Sequence, residues 1–126
     1  MILGAGNVAT HISRHLHFAG HRISCVWSRR AGPARQLAAE LDSVGTADPD
    51  QIPREADFYL LAVPDAAIES VVPYLHDCRG ICLHAAGAVP MDALAEKCRE
   101  YGVLYPLQTF TAGRELSLDD VPVLVE

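Results

Sequence analysis

The sequence predicts a doubly wound α/β domain: a mainly parallel sheet with helices on both faces, three layers in all. Three observations predict it. Short apolar runs alternate with amphipathic helical patterns along the whole chain. The first run, Met1 to Leu3, passes straight into a glycine-rich turn, Gly4-Ala5-Gly6, and the turn into a helix. The run Phe58 to Val63 (FYLLAV) is apolar throughout, the composition of a strand buried on both faces.

Each element follows from local pattern. Val8, Ile12, Leu16 and Ala19 recur at helical spacing, so a helix is expected from about Asn7 to Ala19, ended by Gly20. Ile23 to Trp27 is β-branched and apolar, a second strand. Pro33 suits the first turn of the next helix, which places Leu37, Ala38 and Leu41 on one face. A short strand is expected at Ser43 to Thr46, and Asp48 before Pro49 reads as a helix start. After the FYLLAV strand, Asp65 is placed to cap a helix through Ile68, Val71 and Val72. Strands are expected at Gly80 to His84, Val103 to Tyr105 and Val121 to Val125, with a helix at Met91 to Tyr101. Parallel strands joined by crossover helices account for this alternation.

Composition bounds the function. The 126 residues suffice for one domain with a real core, and half of them are hydrophobic. A formal net charge of −6 argues against nucleic acid or an anionic membrane as partner. No apolar run has the length of a membrane span, and the N-terminus lacks a signal-peptide pattern, so a cytoplasmic protein is expected. Cys25, Cys78, Cys82 and Cys98 form no Cys-x-x-Cys pair and read as free thiols. His11 and His15, one helical turn apart, make half a metal site with no third ligand evident, so no metal is expected.

The opening turn carries chemistry. Gly4-Ala5-Gly6-Asn7-Val8-Ala9 fits G-x-G-x-x-A. The first glycine allows a tight turn, the second lets a pyrophosphate approach the backbone, and Ala9 lets the helix pack close to the strand. Unpaired N–H groups at the helix start then face the phosphates. An NAD site would place an acid at the end of the second strand; here Ser28-Arg29-Arg30 stand there, and no acid follows until Glu40. A hydroxyl and two guanidinium groups suit the 2′-phosphate of NADP. Two solvated arginines would look the same.

In such a sheet, ligands bind beyond the carboxyl ends of the strands. Three loops fall there: Ala62-Val63-Pro64-Asp65, His84-Ala85-Ala86-Gly87, and Tyr105 to Phe110 with Arg114 following. Val63, Pro64 and Asp65 are candidates beside the cofactor, although Asp65 serves equally as a helix cap. His84 is a candidate cofactor contact, and with Gln108 a weak candidate for catalysis; it could equally be a hydrogen-bonded histidine at a strand end. Gln108, Thr109 and Arg114 are candidate substrate contacts.

The segments GAGNVATHI, VWSRR, AVPDAAI, HAAGAVPMDAL, YGVLYPLQTF and VPVLVE together resemble a bacterial family assigned as NADP-dependent oxidoreductases. The family is similar to pyrroline-5-carboxylate reductases, to reductases that use NADP with a deazaflavin coenzyme, and to 6-phosphogluconate dehydrogenase-like enzymes. The resemblance implies a Rossmann-like N-terminal domain and a C-terminal helical domain. It assigns Gly4, Gly6, Asn7 and Val8 to the pyrophosphate turn, Ser28 and Arg29 to the 2′-phosphate, and Val63 to Asp65 to the nicotinamide ribose. The loop from His84 to Gly87 departs from the family's usual His-Thr-Ser-Gly-Ser, because Ala85, Ala86 and Ala88 replace its hydroxyl residues.

The expectation is therefore a Rossmann-like NADP-binding domain over residues 1–126, a fragment without its helical domain. It would serve an oxidoreductase passing hydride between NADP(H) and a small imine, carbonyl or hydroxy compound. A homodimer would form mainly through the absent domain. The alternative is a non-catalytic module that senses NADP(H) or another nucleotide.

Overall fold

The structure, a computed structural model, describes residues 1–111, 113 and 121–126. Seven strands form one sheet: β1 (Ile2–Leu3), β2 (Val26–Trp27), β3 (Gly45–Thr46), β4 (Glu55–Leu61), β5 (Arg79–His84), β6 (Glu100–Pro106) and β7 (Val123–Val125). Their order across the sheet is β3-β2-β1-β4-β5-β6-β7. The first six are parallel; β7 lies antiparallel along β6 and closes the edge. The order reverses at β1, where β2 leaves to one side and β4 to the other. That switch point is where such sheets open a crevice.

Register aligns the carboxyl ends. Leu3 pairs with both Trp27 and Leu61, and Leu61 pairs with His84. The loops after β1, β2, β4 and β5 therefore leave the sheet at one level.

The period of two along each strand builds two cores. Ile2, Val26 and Leu60 face α1 (Asn7–Phe18) and α2 (Ala31–Glu40), meeting Ala9 and Ile12 of the first and Ala34, Leu37 and Ala38 of the second. Leu3, Trp27, Tyr59, Leu61 and Cys82 face the other way, against Ile68, Val71, Val72, Leu75 and Leu94. The three layers of a Rossmann-like domain follow from this. Gly20, at φ +94°, ends the first helix: its N–H reaches the His17 carbonyl, and the His21 N–H reaches back to Leu16.

Two crossover segments and one cap differ from the sequence reading. The segment after β4 is not one helix. It is a short α3 (Ile68–Val71) between the 3₁₀ turns Asp65–Ala67 and Val72–Leu75. Pro73 lacks the N–H that a longer helix would need there. Asp65 caps nothing with its side chain; Pro64 holds the cap position. Met91 to Tyr101 is not a helix either. Only the 3₁₀ turn Met91–Leu94 forms, and Glu100 and Tyr101 pair with Ile81 and Cys82 as the start of β6. Burial of Leu94 and Cys98 against the sheet holds that crossover instead. Among the described residues, no helix is long and apolar enough to cross a membrane.

Candidate functional site: a groove along the strand ends

The groove begins at the glycine turn. Gly4 has φ +125°, and a Cβ there would collide with the Ala62 carbonyl, so the turn can pass this close to β4 only as glycine. Its N–H donates to the Trp27 carbonyl at 2.7 Å, tying the turn to β2 as well. Above Gly6 the space is open: a Cβ there would meet nothing within 4 Å. Gly6 is the N-cap of α1, with no side-chain cap and no acid in the first turn. The first amides of the helix thus point, unpaired by any side chain, at the open space. An anion completes such a terminus.

A cavity of about 340 Å³ lies on the β2 side, lined by Gly4, Gly6, Trp27, Ser28, Arg29, Arg30, Val63 and Pro64 among others. The Ser28 hydroxyl donates to the Arg30 carbonyl (3.0 Å) and accepts from the Arg30 N–H (3.3 Å), which shapes the turn carrying both arginines. Both guanidinium groups are exposed, and no carboxylate among the described residues pairs with either. No acid lines this cavity. Two exposed cations beside a cavity that adjoins a bare helix start have the chemistry to hold a dianion.

A second cavity, about 570 Å³, lies on the β5–β6 side. Asn7, Val8, Asp65, Tyr105, Gln108 and Phe110 line it, with Ala85, Gly87 and Ala88 from the loop after β5. The two cavities share Gly6, Ala62, Val63 and Pro64, so they are halves of one groove across the switch point. The loop after β6 is tied to α1. The Asn7 amide donates to the Phe110 carbonyl (3.2 Å), the His11 ring nitrogen Nε2 lies 3.3 Å from the Thr111 carbonyl, and the two rings stack at 5.2 Å.

Of the residues singled out from sequence, the groove gathers Gly4, Gly6, Asn7, Val8, Ser28, Arg29, Arg30, Val63, Pro64, Asp65 and Gln108. Thr109 is exposed and lines neither cavity; Arg114 lies outside the described residues. His84 also lines neither. It is fully buried, with Nδ1 accepting from the Ala86 N–H (3.2 Å) and Nε2 3.3 Å from the Pro90 carbonyl. This pairing makes it the neutral Nε2–H tautomer, a brace across the loop from 84 to 90. Tyr105, Phe110 and His11 were not evident as site residues. His11 meets Phe110 and Thr111 about a hundred residues along the chain, and Tyr105 meets Gly87 between the ends of neighbouring strands; no local pattern announces either contact.

The fold, the switch-point groove and the bare helix start define a Rossmann-type dinucleotide-binding domain. A family model described as NADP oxidoreductase coenzyme F420-dependent matches residues 1–80. A crystal structure of a Bacteroides fragilis protein assigned to the NADP oxidoreductases superposes with a TM-score of 0.92 at 33% identity, covering 99% of this chain. The chain belongs to this NADP oxidoreductase family, and its cofactor is NADP. Two more distant structures share the fold. Pyrroline-5-carboxylate reductase from Coxiella burnetii has a TM-score of 0.68 at 20% identity over 84% of the chain. An imine reductase from Myxococcus stipitatus, in complex with NADP⁺, has 0.58 at 16% identity over 86%. The chain spans 49%, 42% and 40% of these three proteins. Among curated proteins none matches it.

Proposed function

We propose that the chain is the cofactor-holding domain of an oxidoreductase that moves hydride between NADP(H) and a small imine, carbonyl or hydroxy compound. The observation that carries this reading is the shared wall of Gly6, Ala62, Val63 and Pro64. It joins a cationic cavity to a larger one lined by amides, aromatics and a carboxylate. A dinucleotide laid across that wall has its adenosine end on the β2 side and its nicotinamide end on the β5–β6 side.

The bound cofactor supplies the hydride; the protein's part is to bind, orient and exclude water. The first amides of α1 and the backbone at Gly4 and Gly6 hold the pyrophosphate. Arg29 and Arg30 take the 2′-phosphate, with Ser28 shaping their turn. Val63, Pro64 and Asp65 border the nicotinamide ribose. Gln108 offers a donor and an acceptor to a small polar substrate, against the apolar walls of Ala85, Ala88 and Phe110.

A screen of small imines, ketones and hydroxy acids tests the reading, following NADPH absorbance with this chain and with a longer protein that contains it. Turnover of any of them by either protein supports it. Tight NADPH binding with no turnover in either favours the sensing module, which the hydroxyl-free loop Ala85 to Ala88 would suit.

A further inference from the structure

We infer that the Tyr105 hydroxyl is the proton donor and acceptor of this site. The inference rests on the hydride-transfer reading above. Reducing a C=O or C=N bond needs a proton at the heteroatom as well as a hydride at carbon, and the pocket must deliver it.

Two residues lining the larger cavity carry a transferable proton, Asp65 and Tyr105. Asn7 and Gln108 are amides and do not exchange a proton in this way. Asp65 is exposed, in the turn that follows β4, where water competes for it. Tyr105 is half-buried near the end of β6, its backbone fixed by pairing with Leu124 of β7.

The phenol end is positioned by Gly87. A Cβ on that glycine would lie 2.7 Å from Cζ, 2.9 Å from Cε2 and 3.0 Å from the hydroxyl oxygen of Tyr105. The absence of a side chain at position 87 thus opens the place where the hydroxyl sits, at the tip of the loop after β5. With Ala85 and Ala88 beside it, Tyr105 provides the cavity's only hydroxyl among the described residues.

That hydroxyl also has no protein partner among the described residues. By contrast, Tyr59 donates to the Pro53 carbonyl at 2.8 Å and Tyr101 to the Asp92 carboxylate at 3.4 Å. A half-buried phenol left without a protein partner, facing a cavity, is free to bond a ligand atom.

The step balances. The π bond of the substrate opens, its carbon gains the hydride of the reduced cofactor, and its oxygen or nitrogen gains the proton from Tyr105. The O–H bond of Tyr105 breaks, and the phenolate regains a proton from water. Oxidation of a hydroxy or amino compound runs each transfer in reverse.

The test labels the Cζ of tyrosine with carbon-13 and saturates the protein with NADP⁺ or with NADPH. The chain has four tyrosines, and Tyr105→Phe identifies the resonance that disappears. The positive charge on the oxidised ring should give the Tyr105 signal a different shift in the two complexes, while that of buried Tyr59 stays put. Tyr105→Phe keeps the ring against Gly87, so its NADPH affinity should stay within about twofold. Its reduction of 2-methyl-1-pyrroline or cyclohexanone should fall about 100-fold or more. Tyr101→Phe, which loses a hydroxyl outside the groove, should leave turnover unchanged. A Tyr105 signal blind to the redox state, or wild-type turnover in Tyr105→Phe, overturns the inference alone. A protein that binds neither form of the cofactor overturns the NADP reading beneath it.

Discussion

Replacing Arg29 and Arg30 together by alanine should separate the two nicotinamide cofactors. Both side chains are exposed at the rim of the smaller cavity and unpaired among the described residues. Pairing them with a phosphate therefore breaks no existing ion pair. Exposed pairs are screened, and charge-assisted hydrogen bonds are worth more than neutral ones; about 1 to 1.5 kcal/mol per arginine lies between those limits. The double variant should lose about 2 to 3 kcal/mol of NADPH affinity, roughly 30- to 150-fold in Kd. NADH lacks the 2′-phosphate, so its Kd should change less than about threefold. Calorimetric titration of both cofactors, at low and at raised salt, measures the difference. Salt should weaken NADPH binding to the wild type more than to the variant. Equal losses for NADPH and NADH would refute the assignment and point to a general disturbance of the loop after β2.

Three further predictions concern the scaffold. Gly45→Ala would set a Cβ 2.5 Å from the backbone of Ala34 and Arg35 where β3 meets α2; urea unfolding should show a loss of about 2 kcal/mol or more. His84→Phe would strand the Ala86 N–H and the Pro90 carbonyl that the imidazole now engages. It should cost about 2 to 4 kcal/mol, and a midpoint equal to wild type would remove the brace role. Stability should also fall as pH rises above the ordinary thiol range. Burial pushes the Cys25 and Cys78 thiols and the Tyr59 phenol up, and a hydrogen bond with Cys98 together with burial pushes Cys82 up. Each of these acids holds its proton in the folded state at a pH where the unfolded chain has released it. Their contribution is thus complete below the unfolded pKa and is lost as pH climbs through the folded one. The Met1 ammonium, shifted down by burial, and the Cys98 thiol, shifted down by its hydrogen bond with Cys82, act in the opposite sense but only below their ordinary ranges. Denaturant midpoints at pH 9, 10 and 11 should therefore decline in that order.

Much of the groove was legible because its parts are local. The turn Gly4-Ala5-Gly6, the helix after it and the Ser28-Arg29-Arg30 strand end are contiguous segments whose spacing states their geometry. The FYLLAV run announced a strand, of which Tyr59 to Leu61 are buried while Phe58 is exposed; β4 itself starts at Glu55 and stops at Leu61, since pairing with β5 sets those limits. The crossover from β5 to β6 misled because Met91 to Tyr101 has helical periodicity, while the sheet recruits Glu100 and Tyr101 for pairing. The Tyr105–Gly87 contact depends on β5 and β6 lying side by side, and the His84 brace on how the loop from 84 to 90 folds back over the ring. Neither is written in a spacing.

The measurement that tests the central claim most directly is titration of the purified chain with NADPH and NADH, read by the fluorescence of Trp27. It is the only tryptophan, nearly fully buried at the end of β2, lining the smaller cavity and edge-on to Tyr74 at 5.3 Å. The account predicts a saturable change, with NADPH binding at least about tenfold tighter than NADH. A chain shown by circular dichroism to be folded, yet silent to both or equal for both, would contradict it.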